Sequence, residues 1–104
     1  MSADNGIYIG KFYEGYRVIH AQAIENCEGS PDDDVTLAYI NTYFGKAKVF
    51  RTSDEAWTEA RYIYDQMRLD DFFILEYGIS EVQFNIPFPE MSEEKCKRLM
   101  GALW

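Results

Sequence analysis

His20 is the only histidine among 104 residues, and imidazole is the side chain best suited to moving a proton near neutral pH. General-base work needs a nucleophile or an orienting carboxylate within hydrogen-bond reach. Cys27 and Cys96 are the thiols that could complete a nucleophilic dyad with it, yet nothing in the spacing of the three residues brings them together. A histidine on a strand with apolar neighbours reads instead as a satisfied sheet residue. The carboxylates suggest two other chemistries. Glu25, Glu28 and the run Asp32-Asp33-Asp34 could offer oxygen ligands to Ca²⁺ or Mg²⁺. The alternating acids, central glycine and closing glutamate of an EF-hand loop are not at the required offsets, so capping a helix is the expected role. Glu76 and Glu81 invite comparison with the carboxylate pair of glycosidases, but five positions along a strand put them on opposite faces unless the chain bends at Gly78. The chain has no glycine-rich dinucleotide or P-loop pattern, no GxSxG and no HExxH. The expectation is a protein that is not an enzyme, with no catalytic residues, no metal site and no cofactor.

Charge carries more information than any motif. Eighteen Asp and Glu stand against ten Lys and Arg, a formal charge of −8, on a chain that is 16% aromatic. A disordered acidic tail would lack those rings, having too little apolar surface to offset the entropy of ordering. The chain is therefore expected to fold, with an acidic skin. Direct nucleic-acid binding and attraction to an anionic membrane are both disfavoured, because each relies on Lys and Arg. Partners are expected to be proteins with basic surfaces. Lys46, Lys48 and Arg51 form a short basic island, whereas residues 52–94 hold 11 acids and only Arg61 and Arg68 as bases. An acidic face with interspersed Tyr and Trp can imitate the phosphates and stacked bases of a nucleic acid and occupy a basic cleft. The expected contacts are Asp32, Asp33 and Asp34 in the loop, with Asp65, Asp70 and Asp71 at the end of a helix. A solvated surface that keeps a small protein soluble is the alternative.

The elements that would position these residues follow from periodicity. Residues 6–12 and 16–22 are β-branched and aromatic runs separated by Tyr13-Glu14-Gly15, which predicts a hairpin with a left-handed Gly15. Neither face of that pair is purely polar, so both should be partly covered. Asp32 or Asp33 should cap a helix running to about Phe44, with Leu37, Ile40 and Phe44 inward and Gly45 as the stop. Residues 46–50 alternate as a strand. Thr52 with Glu55 opens a helix over about 53–68, whose Ala56, Ala60, Ile63, Tyr64 and Met67 face the sheet while Glu55, Glu59, Tyr62 and Gln66 lie elsewhere on its surface. Residues 72–86 read as one long strand or two short ones divided near Gly78 and ended by Pro87 and Pro89. Ser92 should cap a last helix carrying Cys96, Leu99, Met100 and Leu103, with Trp104 docking it or meeting a partner.

The order β-β-α-β-α-β(β)-α predicts an α+β fold, a mainly antiparallel sheet with two to three helices packed on it, as one domain over residues 1–104. The longest apolar run, residues 72–75, is far short of the roughly 20 needed to span a bilayer. The start of the chain lacks the basic and apolar segments of a signal peptide. Cys27 and Cys96, in no CxxC grouping, read as buried free thiols of a reducing compartment. A cytoplasmic protein is expected.

Four stretches, residues 2–9, 16–26, 43–50 and 75–79, together resemble a family of short, largely uncharacterised proteins encoded by phages and prophages. The resemblance covers most of the chain, contains no catalytic signature and transfers no site residue. What it implies is context, with the host cell cytoplasm as location. Small acidic proteins of phage origin often bind and block host machinery, including CRISPR effectors and restriction enzymes, sometimes as nucleic-acid mimics. The leading expectation is thus a non-enzymatic acidic binding domain that occupies the basic, nucleic-acid-binding site of a host defence protein. Two other expectations stand beside it: a small enzyme or ligand-binding domain using a pocket near His20, and a homo-oligomeric assembly protein or homodimer joined through sheet edges or Trp104.

Overall fold

The β-branched runs at the start of the chain pair as expected. Strand β1 (Asn5–Phe12) folds back on β2 (Gly15–Gln22) in antiparallel register, from Phe12 opposite Gly15 to Asn5 opposite Gln22. The loop is two residues long, Tyr13 and Glu14, because Gly15 is already the first residue of β2. Gly15 has the positive φ anticipated for it, but at 143° it lies outside the left-handed helical well. A Cβ there would also stand 2.4 Å from the Phe50 carbonyl oxygen. Only glycine lets the neighbouring strand approach this closely. The computed structural model describes residues 5–22, 27, 32–69 and 78–101.

Asp33 opens helix α1 (Asp34–Phe44) from an extended conformation, its Oδ1 accepting the Val35 N–H at 3.0 Å. Ile40 and Phe44 are buried and Leu37 half-buried, as the spacing predicts. Gly45 does end the helix, but with a right-handed φ of −63°. The chain leaves through a turn in which the Ala47 N–H reaches the Phe44 carbonyl at 3.1 Å. That turn consumes residues 45–48, so the strand expected over 46–50 is reduced to β3, Val49–Phe50, paired antiparallel with β2.

Thr52 caps helix α2 (Ser53–Leu69): its hydroxyl accepts the Glu55 N–H at 3.2 Å and donates to Glu55 Oε1 at 3.1 Å. Strand β4 (Ile79–Gln83) follows a left-handed Gly78, φ 60°, and pairs parallel with β1. Residues 72–77 of the predicted strand lie outside the described residues. The strand does not run on to the prolines. The Phe84 and Asn85 N–H groups converge on the Lys11 carbonyl at 3.0 and 3.3 Å, and Asn85 takes φ 56°, turning the chain before Pro87. Ser92 caps helix α3 (Glu93–Gly101), its Oγ accepting the Lys95 N–H at 3.1 Å. Leu103 and Trp104 lie outside the described residues.

The fold is α+β, a four-stranded mixed sheet in the order β3-β2-β1-β4 with two antiparallel pairings and one parallel. Both faces are covered. Ile7, Ile9 and Val18 pack under Ala56 and Ala60 of α2. Tyr8 and Phe12 pack on the other face with Ile40 and Phe44 of α1, and α3 lies against α1, the Cys96 thiol donating to Asn41 Oδ1 at 3.1 Å. The alternation of a strand thus feeds two separate apolar clusters. Cys27 and Cys96 are buried and neither is in a disulfide. Among the described residues no helix is long and apolar enough to cross a membrane.

Candidate functional site

Helix α2 carries more carboxylates than any other described element. A helix of 17 residues extends about 25 Å, and positions three and four apart stand roughly 5–6 Å from one another on its surface. Ala56 and Ala60 are fully buried against the sheet, so the opposite side projects into solvent. It carries the exposed Asp54, Glu55 and Asp65, with Arg61 as the counter-charge and Thr58, Tyr62 and Gln66 between them, and the half-buried Glu59 lies at its flank. Asp54 and Glu55 sit in the first turn, where the helix dipole favours anions. Tyr62 is 61% exposed, an aromatic ring with Glu59 and Asp65 three residues to either side. A shallow depression of about 350 Å³ adjoins this face, lined by Asp54, Trp57, Thr58 and Arg61, the guanidinium lying 5.8 Å from the Trp57 ring centroid. Beyond the helix start, Glu81 of β4 accepts from Ser53 Oγ at 3.5 Å and from Gln83 Nε2 at 3.0 Å. Among the described residues the one ion pair is Lys97–Glu93, at 3.3 Å within α3. None of the four α2 carboxylates forms an ion pair with a described base.

The six aspartates expected from the sequence do not form one surface. Asp32, Asp33 and Asp34 are exposed at the start of α1, on one side of the sheet. Asp33 is engaged locally, both carboxylate oxygens accepting from α1, at 3.0 Å from the Val35 N–H and 3.5 Å from the Thr36 hydroxyl. Asp65 is exposed on α2, which covers the other side of the sheet. Asp70, Asp71 and Glu76 lie outside the described residues. Among the described residues no three His, Cys, Asp or Glu come together in a metal-binding group.

His20 pairs opposite Ile7 on the α2 side of the sheet and is exposed, with partial desolvation lowering its pKa. It lines neither described cavity. The larger cavity lies on the opposite side of the sheet, between α1, α3 and residues 87–91, with a volume of about 900 Å³. At its base the Arg17 guanidinium rests on the Phe88 ring, 3.7 Å from the centroid, and donates through Nη1 to the Phe44 carbonyl at 3.1 Å, at the end of α1. Burial lowers the Arg17 pKa, while Glu14 and Glu90 act the other way. Asn41 is held from both sides, donating to the Pro89 carbonyl at 2.8 Å and accepting from the Cys96 thiol. Nearby, burial raises the Tyr43 pKa, with lesser contributions from Cys27 and Tyr39. Sequence reasoning did not single out Arg17. The available signal was its place on one strand face with Ile19 and Ala21, a cation among apolar residues.

Comparison of the chain with protein-family models, with curated proteins and with solved structures gives no match.

Proposed function

We propose that this chain is a non-enzymatic, acidic protein-binding domain that occupies a basic, nucleic-acid-binding site on another protein. A host defence protein such as a CRISPR effector or a restriction enzyme is the partner class that the resemblance to phage proteins suggests. The observation that carries the reading is the outward face of α2. Four carboxylates, none in an ion pair with a described base, run along a helix anchored by Ala56 and Ala60, and two of them, the half-buried Glu59 and the exposed Asp65, flank the exposed Tyr62. Such an array offers a cationic cleft a row of negative charge and an aromatic face, the two features by which single-stranded nucleic acids are held. Of the six aspartates expected as contacts, Asp65 belongs to this array. Asp32, Asp33 and Asp34 form a second acidic site at the start of α1.

The test begins with capture from host lysate at low salt, using the full chain as bait, and continues with the purified partner. Exposed ion pairs contribute about 0.2–1 kcal/mol each. Neutralising Glu55, Glu59 and Asp65 together, as E55Q, E59Q and D65N, should then weaken binding by between about 3-fold and 150-fold. Affinity should fall steeply with ionic strength, and single-stranded nucleic acid should compete. Affinity that is unchanged between low and high salt would end the electrostatic reading.

A further inference from the structure

We propose that the groove between α1, α3 and residues 87–91 binds a small organic monoanion, a carboxylate carried on an aryl or alkyl body, with the Arg17 guanidinium as its anchor. The cavity of about 900 Å³ is of small-molecule size. Its base is preformed. Arg17 is fixed by the stack on Phe88 and by one hydrogen bond to the Phe44 carbonyl, which leaves most of the five guanidinium N–H donors for a ligand. Lys97–Glu93 being the one ion pair among the described residues, Arg17 has no described carboxylate partner. The Glu14 and Glu90 carboxylates act on Arg17 at longer range, and Glu14 is itself bound to the Phe88 N–H at 2.7 Å.

The lining sets the class of ligand. Arg17, Lys46 and Lys97 contribute three positive charges and Glu90 and Glu93 two negative ones, a balance of 3 − 2 = +1 inside a chain of net charge −8. That balance suits a single negative charge, and the two glutamates disfavour a polyanion. A planar guanidinium matches a carboxylate through two parallel N–H donors. Phe88 and Met91 supply the apolar wall for the rest of the molecule. The site lies across the sheet from the acidic face of α2, so it does not depend on that face.

The experiment uses the full chain with 3-phenylpropionate as probe, 3-phenylpropanol as its neutral isostere and inorganic phosphate as a bare anion. Amide chemical-shift mapping of the wild type should move Thr42, Lys46, Met91 and Lys97 and leave Thr58 and Tyr62 of α2 in place. Calorimetry should place the alcohol at least about tenfold weaker than the acid, since it forfeits the charge-assisted pair. Arg17→Lys should lose at least about tenfold in affinity, because an ammonium reproduces neither the fork nor the flat stack. Arg17→Met, which keeps the apolar stem without the charge, should lose more. If these variants do not fold, the acid-against-alcohol comparison on the wild type decides alone. No shifts up to about 10 mM probe, shifts confined to α2, equal affinity for acid and alcohol, or phosphate binding as tightly as 3-phenylpropionate would each overturn the proposal.

Discussion

Gly10 sits in the middle of β1, opposite Arg17 on one side and Val82 on the other. Three aromatic rings close over it. A Cβ added there would meet Phe44 Cε1 at 2.9 Å, Phe84 Cε2 at 3.0 Å and Phe12 Cε2 at 3.1 Å. Ordinary contact begins near 3.4 Å, so the rings would have to retreat by 0.5, 0.4 and 0.3 Å respectively. They have little room to do so. Phe12 stacks on Phe84 at 4.9 Å, and Phe44 meets both edge-on, at 5.7 Å from Phe12 and 5.6 Å from Phe84. Overpacking of a filled core costs about 1–3 kcal/mol, while restricting the unfolded chain returns about 0.4–1 kcal/mol. Gly10→Ala should therefore destabilise the protein by about 1–2 kcal/mol, lowering Tm by about 4–16 °C. Urea and thermal denaturation followed by circular dichroism measure it. Phe84→Leu, which vacates one of the three contacts, should relieve part of the loss, with a favourable coupling of at least about 0.5 kcal/mol in a double-mutant cycle. Gly10→Ala as stable as the wild type, or strict additivity with Phe84→Leu, would refute the packing argument.

Gly15→Ala combines a backbone of φ 143° with a 2.4 Å approach to the Phe50 carbonyl. It should cost about 2 kcal/mol or more and accelerate amide exchange across the β2–β3 pairing; exchange unchanged at Tyr16 and Phe50 would contradict this. Ser92→Ala removes the acceptor of the Lys95 N–H and should cost about 1 kcal/mol, with exchange faster in the first turn of α3 and unaltered in α2. Partial desolvation lowers the pKa of the exposed His20 from its ordinary 6.5, so between the two values the unfolded chain binds more protons and stability rises slightly with pH. The contribution of His20 is fully present above about pH 6.5 and fades as pH falls through the folded value. An NMR titration midpoint at or above 6.5 would disprove that sign.

Much of the fold was legible because it is local. Thr52 with Glu55, Asp33 before α1 and Ser92 before α3 all announce a helix within three residues of its start, and each caps as its type requires. The two-residue turn before Gly15 was misjudged by one position because a glycine can equally close a loop or open a strand. The parallel place of β4 beside β1 has no local signal, since its partner lies 79 − 7 = 72 positions away. The acidic site was only half legible. Counting acids along the chain favoured Asp32-Asp33-Asp34, but linear density does not tell a carboxylate occupied by its own helix, as in Asp33, from one left for a partner. Helical projection does: Asp54, Tyr62 and Asp65 fall opposite the buried Ala56 and Ala60, with Glu55 and Glu59 toward the flank. Arg17 escaped because its environment is assembled from α1 and residues 87–91, both remote in sequence.

The parallel partner of β1 has a consequence for how the molecule comes into being. The hairpin closes between Phe12 and Gly15, whereas β4 must return across 72 positions to reach Ile7. Closing the longer loop costs roughly 3 kcal/mol more in chain entropy, so the hairpin forms early and β4 joins late. Until it does, β1, which becomes an interior strand holding the fully buried Ile7 and Ile9, is an open edge. Fragments that stop short of β4 should pair with one another along that edge and aggregate. Synthesis of the chain thus passes through a stage in which its most protected strand is its most adhesive one.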